Sequence, residues 1–155
     1  MKRVLVFAAG SAALLLSCVS AFAIESSYTA KSDNLPDTSW LKVGDFCGIG
    51  DWHPAVAKCV LSHGNKIRTL TLKGGGTIVE RLLKWDNKDK SYSYTIVSSP
   101  LPVKNYFSTI KVVPDGKGSD IIWTGKYKAT KGATDDAAKK IVDGIYKAGA
   151  DALAQ

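Results

Sequence analysis

Apolar and polar residues alternate through most of this chain, and the alternation breaks down only in three places. ESSYTAK (25–31) alternates and predicts a first strand. The stretch 32–54 loses the period of two and carries helix-start chemistry: Pro36, then Asp37, Thr38 and Ser39, any of which can cap. It predicts two short helical pieces separated near Gly44, the second ended early by Gly48, Gly50 and Pro54. The period of two then returns. VAKCVLSH (56–63), KIRTLTLK (66–73), TIVERLLKW (77–85), SYSYTIVS (91–98), NYFSTIKVV (105–113) and DIIWTGKYKAT (120–130) read as six strands. Glycines, prolines, asparagines and aspartates punctuate them, including a glycine triplet at 74–76 and PDGKG at 114–118. Turns this short join antiparallel neighbours, so the six form a meander.

The chain closes on a helical period. Thr134 can cap, Asp135 and Asp136 complement the dipole, and Ala138, Ile141, Val142, Ile145, Gly149 and Ala152 recur at three and four. A sheet this large must cover one face, and the terminal helix is the only long one on offer. The order therefore predicts an α+β domain over 24–155: about seven antiparallel strands curved around a long C-terminal helix, with two short helices after strand 1. Alternation puts Tyr92, Tyr94 and Ile96 on one face, with Tyr106, Ser108, Ile110 and Val112, and Ile121, Trp123, Gly125 and Tyr127. Tyrosine walls facing a helix rich in alanine and glycine predict a cavity for an apolar molecule.

The N-terminus adds a compartment. Lys2 and Arg3, an apolar run over 4–16, and Ala21-Phe22-Ala23 read as a secretory signal cut after Ala23. The run is well short of the roughly 20 residues that span a membrane. Lipidation at Cys18 is the competing reading, weakened by bulky Leu16. The destination is the periplasm. Net charge is +7, or +5 without Lys2 and Arg3. The cations, Arg68 and Arg81 among them, are scattered between apolar residues as on the wet face of strands, whereas a nucleic-acid surface would cluster them. Glu80 and Arg81 are likewise assigned to solvent.

GDFCGIGDWHPAVAKC (44–59) holds the densest chemistry. Two thiols in an oxidising compartment predict a Cys47–Cys59 disulfide. A zinc site would need four ligands at tighter spacing than C-x₃-D-x-H-x₅-C, so no metal or other cofactor is expected. A nucleophile would need Cys47 or Cys59 reduced beside His53. The structural reading needs less: Trp52, His53 and Pro54 form one wall of a cavity entrance, with Trp40 and Phe46 as further lining.

The element order, together with DFCGIGDWHPAVAKC (45–59), TIVERLLKWDNKDKSYSYTI (77–96), PLPVKNY (100–106) and IIWTGKY (121–127), resembles the helix-grip fold of the START and Bet v 1-like (SRPBCC) superfamily. More narrowly it resembles the polyketide cyclase/dehydrase and lipid-transport group, in the exported branch named for the methanol-oxidation accessory protein MxaD. The resemblance implies a ligand-holding shell without a metal. Together with the aromatic inner face it leads to the expectation of a non-enzymatic protein that binds a hydrophobic or amphipathic small molecule or lipid, in a cavity lined by Trp40, Phe46, Trp52, His53, Tyr92, Tyr94, Tyr106, Trp123 and Ile145. Two rival expectations stand beside it. One is an accessory protein acting on a periplasmic dehydrogenase and its cytochrome. The other is a cyclase or hydrolase using His53, Glu80 or a tyrosine as acid or base.

Overall fold

A computed structural model describes residues 23–155. The signal-peptide and Cys18 readings lie outside the described residues. Seven strands form one antiparallel sheet: β1 (Ile24–Ser32), β2 (Val56–Ser62), β3 (Ile67–Leu72), β4 (Thr77–Asp86), β5 (Ser91–Ser98), β6 (Val103–Asp115) and β7 (Gly118–Ala129). Their order is β1-β7-β6-β5-β4-β3-β2, a meander whose last strand pairs with the first. Helices α1 (Pro36–Val43) and α2 (Ile49–Trp52) follow β1, and α3 (Asp135–Ala154) closes the chain. This is the helix-grip arrangement the alternation predicted.

Local chemistry explains the boundaries, with some departures from the sequence reading. The α1 cap is not Asp37, Thr38 or Ser39. Leu35 occupies the cap position without a side-chain hydrogen bond, and Pro36 starts the helix, where its missing N–H costs nothing. Ser39 is instead buried, bonded at 2.8 Å to Ser119 Oγ. The hairpin at 114–118 is tighter than expected, since β6 and β7 pair up to Asp115 and Gly118. Thr134 caps α3 as predicted, its Oγ1 accepting from the Ala137 N–H.

Two irregularities in the sheet set which of its side chains face inward. The β6 bulge between Lys104 and Phe107 contains Asn105 at φ 52° and restores Tyr106 to the interior. The second β4 register shift leaves Leu83 exposed, so Leu82 points in and Leu83 out. The stripe on α3 also runs differently from the sequence reading. Ala138, Val142, Tyr146, Gly149, Ala150 and Leu153 are buried, while Ile141 is exposed. Tyr146 overturns the expectation that the helix fills little volume. Its ring stacks on Trp123 with centroids 4.7 Å apart, and much of the expected hollow is occupied.

Candidate functional site: a small apolar cavity beside a buried ion pair

The interior has two differently built ends. At the first, α3 lies on β1 and β7. Buried hydroxyls there form one connected network. Tyr106 and Tyr146 hydroxyls lie 2.5 Å apart, Tyr146 donates to Ser108 Oγ at 3.1 Å, and Ser108 donates to the Thr124 carbonyl at 2.8 Å. Trp123 Nε1 donates to Ser108 Oγ at 2.9 Å and lies 3.2 Å from the Tyr94 oxygen. Gly125 makes the network possible, because a Cβ there would collide with the Tyr146 hydroxyl. Burial pushes the Tyr94 and Tyr106 hydroxyls well above the ordinary phenol range. Both stay protonated at neutral pH.

The second end is formed by β2–β4 with α2. On β3 the inward residues are Arg68, Leu70 and Leu72; on β4 they are Ile78, Glu80 and Leu82. Arg68 and Glu80 are cross-strand partners, and Arg68 Nε donates to Glu80 Oε2 at 2.5 Å. Arg68 is 0% exposed, so its earlier assignment to the wet face of a strand is wrong, as is that of Glu80 to solvent. The guanidinium donates from Nη1 to the Phe46 carbonyl at 2.7 Å. It also sits 4.2 Å from the Phe46 ring centroid and 4.8 Å from that of Tyr94. Arg suits this place because its planar cation stacks on aromatic faces while its fork bonds a carboxylate. Burial works against both charges. It pushes the Glu80 carboxyl up against the pull of Arg68, whereas Glu80 and the nearby tyrosines outweigh burial at Arg68 and hold it charged.

Between the two ends lies a cavity of about 90 Å³. Its walls are Ile49, His53, Ala55 and Val56 at the α2–β2 junction, Leu70, Leu72, Ile78 and Glu80 on β3 and β4, and Tyr94, Ile96 and Tyr106 on β5 and β6. Leu101, Trp123, Val142 and Ile145 complete it. Exposed Ala55 and half-buried Leu72, Ile96, Leu101 and Ile145 mark its mouth. The lining is apolar except for Glu80, His53, the indole of Trp123 and two tyrosine hydroxyls.

His53 is fixed from both sides. The Ala55 N–H donates to Nδ1 at 3.1 Å, which leaves the proton on Nε2, 3.2 Å from the Ile145 carbonyl. Burial, with Arg68 and Lys73 nearby, lowers its basicity despite the Ile145 carbonyl. Gly149 lets the helix come this close, since a Cβ there would lie 2.5 Å from Trp123 Cζ3 and 2.6 Å from His53 Cδ2. The Cys47–Cys59 disulfide is formed, with Cα atoms 5.5 Å apart, and ties the start of α2 to β2. The cluster of Cys47, Asp51, His53 and Cys59 is thereby split: the cysteines bridge, His53 turns inward and Asp51 is exposed.

A family model described as "Polyketide cyclase / dehydrase and lipid transport" matches residues 24–155. The chain belongs to this family. Among solved structures, XoxI from Bacillus cereus is similar at 32% identity and TM-score 0.81, over 84% of this chain and 93% of that one. An uncharacterized protein from Bacillus thuringiensis is similar at 31% identity and TM-score 0.79, over 84% and 96%. The Zhui aromatase/cyclase from Streptomyces sp. R1128 shares the fold, at 16% identity and TM-score 0.64 over 79% and 84%. Membership makes the chain a ligand-binding or cyclase-like domain.

Within this polyketide cyclase/dehydrase and lipid-transport domain the expected lining residues divide. His53, Tyr94, Tyr106, Trp123 and Ile145 are on the cavity wall. Trp40, Phe46, Trp52 and Tyr92 are not, and the reason is packing. Trp40 packs against Trp85 at a tilt of 43°, with ring centroids 5.0 Å apart, and donates to Asn87 Oδ1. Tyr92 stacks on Trp85, also at 5.0 Å. Phe46 covers Arg68. Trp52 donates to the Val43 carbonyl and packs edge-on to Trp123 at 6.0 Å. Glu80 was missed as lining and Arg68 as its partner. The signal was present: RTLTL and IVERL place both charges on the leucine side of their strands, with opposite signs.

Proposed function

We propose that this protein binds a small, largely apolar molecule in the cavity between α2, α3 and β2–β6 and does not transform it. The apolar cavity of about 90 Å³, open at the Leu101–Ile145 rim, is the observation that carries this reading. Its size confines the occupant, since an apolar cavity that takes benzene measures about 150 Å³. A full-length lipid chain does not fit this state, and the lipid expectation narrows accordingly. The wall holds no group set up to exchange a proton near neutral pH: both His53 nitrogens are bonded, Glu80 is paired with Arg68 through Oε2, and burial holds Tyr94 and Tyr106 protonated. This argues against the cyclase or hydrolase reading. The test is a methyl-NMR titration with small apolar compounds, following Ile49, Leu70, Ile78, Val142 and Ile145, with recovery of the compound afterwards. Saturable shifts confined to those methyls, with the compound unchanged, are expected. Absence of shifts with any compound, or recovery of an altered one, overturns it.

The small cavity also favours a second reading, in which the surface does the work. The net +5 of residues 24–155 suits electrostatic docking on an acidic periplasmic dehydrogenase or cytochrome, the accessory role of an MxaD-like protein. Such binding is lost at high salt, because the Debye length shrinks to about 3 Å at 1 M. Co-purification that is absent at low salt, or indifferent to salt, rules it out. Both readings place the protein in the periplasm after cleavage behind Ala23. Osmotic-shock fractions should contain a chain beginning at Ile24.

A further inference from the structure

Hydrogen-bond accounting around the cavity narrows the class of its occupant. Tyr146 spends its proton on Ser108, and Ser108 spends its own on the Thr124 carbonyl. At the 2.5 Å contact between Tyr106 and Tyr146, the donor must therefore be Tyr106. The one remaining phenolic proton is that of Tyr94. Its nearest protein acceptor is the Tyr106 oxygen at 3.5 Å, beyond the range of a good O–H···O bond. Tyr94 is thus a buried donor with its proton barely used, on the cavity wall.

The wall carries a complementary acceptor. Glu80 Oε2 takes the Arg68 Nε–H, while no hydrogen bond reaches Oε1 from the described residues. The ion pair is not bidentate, since Arg68 Nη2 makes no hydrogen bond among the described residues. Glu80 and Tyr94 project from neighbouring strands on one face, Glu80 two residues along β4 from Leu82, the partner of Tyr94. A cavity this small keeps any occupant close to both.

Charge excludes other chemistries. Arg68 neutralises Glu80 but does not reach the cavity wall, so an anion entering would face a carboxylate with no cation in contact. The remaining walls are hydrocarbon and aromatic.

Resting on the binding role proposed above, we infer that the cavity takes a neutral hydroxyl compound with a short apolar body, whose hydroxyl donates to Glu80 Oε1 and accepts from Tyr94. A hydroxyl supplies one donor and two acceptor lone pairs on a single atom, matching the two groups left over. Leaving either unpaired in this apolar site is costly, so the preference for a hydroxyl over an isostere should be strong.

The experiment titrates the purified protein with n-butanol, diethyl ether, n-pentane and butyrate, the first three with equal numbers of non-hydrogen atoms. Methyl shifts of Ile78 and Ile145 give the dissociation constants, for the natural protein and for Tyr94→Phe. Tyr94→Phe keeps the ring against Arg68, and circular dichroism confirms its fold. Butanol should bind at least about tenfold more tightly than ether or pentane, with butyrate weakest. Tyr94→Phe should weaken butanol about tenfold and leave pentane unchanged. Equal binding of butanol and pentane, or butanol unaffected by Tyr94→Phe, overturns the hydroxyl assignment while leaving the cavity a binding site. Failure of all four to shift either methyl overturns the binding role itself.

Discussion

The two ends of the interior use similar side chains and reach different states. Where α3 rests on β1 and β7, the hydroxyls of Tyr106, Ser108, Tyr127 and Tyr146 all find protein partners, and the Tyr146 ring stacks on Trp123. Where β2–β4 meet α2, an arginine and a glutamate are sealed under aromatic rings, a cavity remains, and Arg68 Nη2 is the one buried side-chain polar atom without a partner among the described residues. The first end is built for rigidity. The second retains polar capacity that the fold itself does not consume, which is what a binding site requires. The contrast shows that an aromatic, hydroxyl-bearing inner face does not by itself mean a hollow. The occupant of the helix side decides, and here Tyr146 fills one end and Gly149 brings His53 to the edge of the other.

The ion pair should give the largest effect. Arg68→Ala leaves Glu80 buried without its partner and should cost about 3–5 kcal/mol in urea unfolding at pH 7. Replacing both residues, Arg68→Met with Glu80→Leu, should recover most of that loss, because a buried pair is a weak source of net stability. At the filled end, Tyr106→Phe removes one hydroxyl and should cost about 1 kcal/mol. If the double replacement is as damaging as Arg68→Ala, the pair is a structural keystone and the contrast between the ends weakens.

Next comes the disulfide. Reducing a bridge that closes a 12-residue separation should lower stability by about 3 kcal/mol, chiefly by freeing the unfolded chain. The bridge also holds Ile49 and Val56, two cavity residues, on either side of His53. Hydrogen exchange should therefore rise first over residues 45–59, with β6 and β7 protected until global unfolding. Uniform loss of protection would mean that the two ends unfold as one unit.

These expectations also show what the sequence could reveal. The sheet was legible because strands such as SYSYTIVS (91–98) and KIRTLTLK (66–73) alternate and short turns leave an antiparallel meander as the economical topology. The disulfide was legible from two thiols in a chain read as exported. The site was only half legible. Arg68 and Glu80 were assigned to water because a charge defaults to solvent, although strand parity alone placed them with Leu70 and Ile78. Tyr146 was left out of the α3 stripe because Ile141 and Ile145 suggested a face rotated from the real one. Trp40, Phe46, Trp52 and Tyr92 were drawn to the cavity by size and aromaticity, and no local pattern reveals that each has a packing partner elsewhere.

Gly125 gives a smaller, more local effect. Gly125→Ala forces the Tyr146 hydroxyl away and should cost about 1–3 kcal/mol. Adding Tyr146→Phe removes the colliding oxygen but leaves Cζ 3.1 Å from the new Cβ, so it should restore part of the loss. No restoration would mean that the backbone of β7, not the tyrosine, absorbs the strain.

The smallest expected effect joins the two ends, because His53 touches both the cavity and α3. Its proton affinity is lowered in the folded state, first by burial, with Arg68 and Lys73 adding to it. The unfolded chain therefore binds the proton more readily, and stability rises with pH across that window. As pH falls below about 6.5, the ordinary histidine value, stability should decline by at most about 1.4 kcal/mol per pH unit and level off once the folded form is protonated too. Protonation also turns Nδ1 from an acceptor into a donor facing the Ala55 N–H, so the α2–β2 junction should loosen before the sheet does. Glu80 acts with the opposite sign, since its raised affinity makes the folded form the better proton binder as pH falls toward the carboxylate range. Measuring between pH 8 and 5.5 and subtracting the profile of His53→Gln isolates the histidine. A His53→Gln profile as steep as that of the natural protein would show that the slope belongs to another group and that His53 is only a packing element.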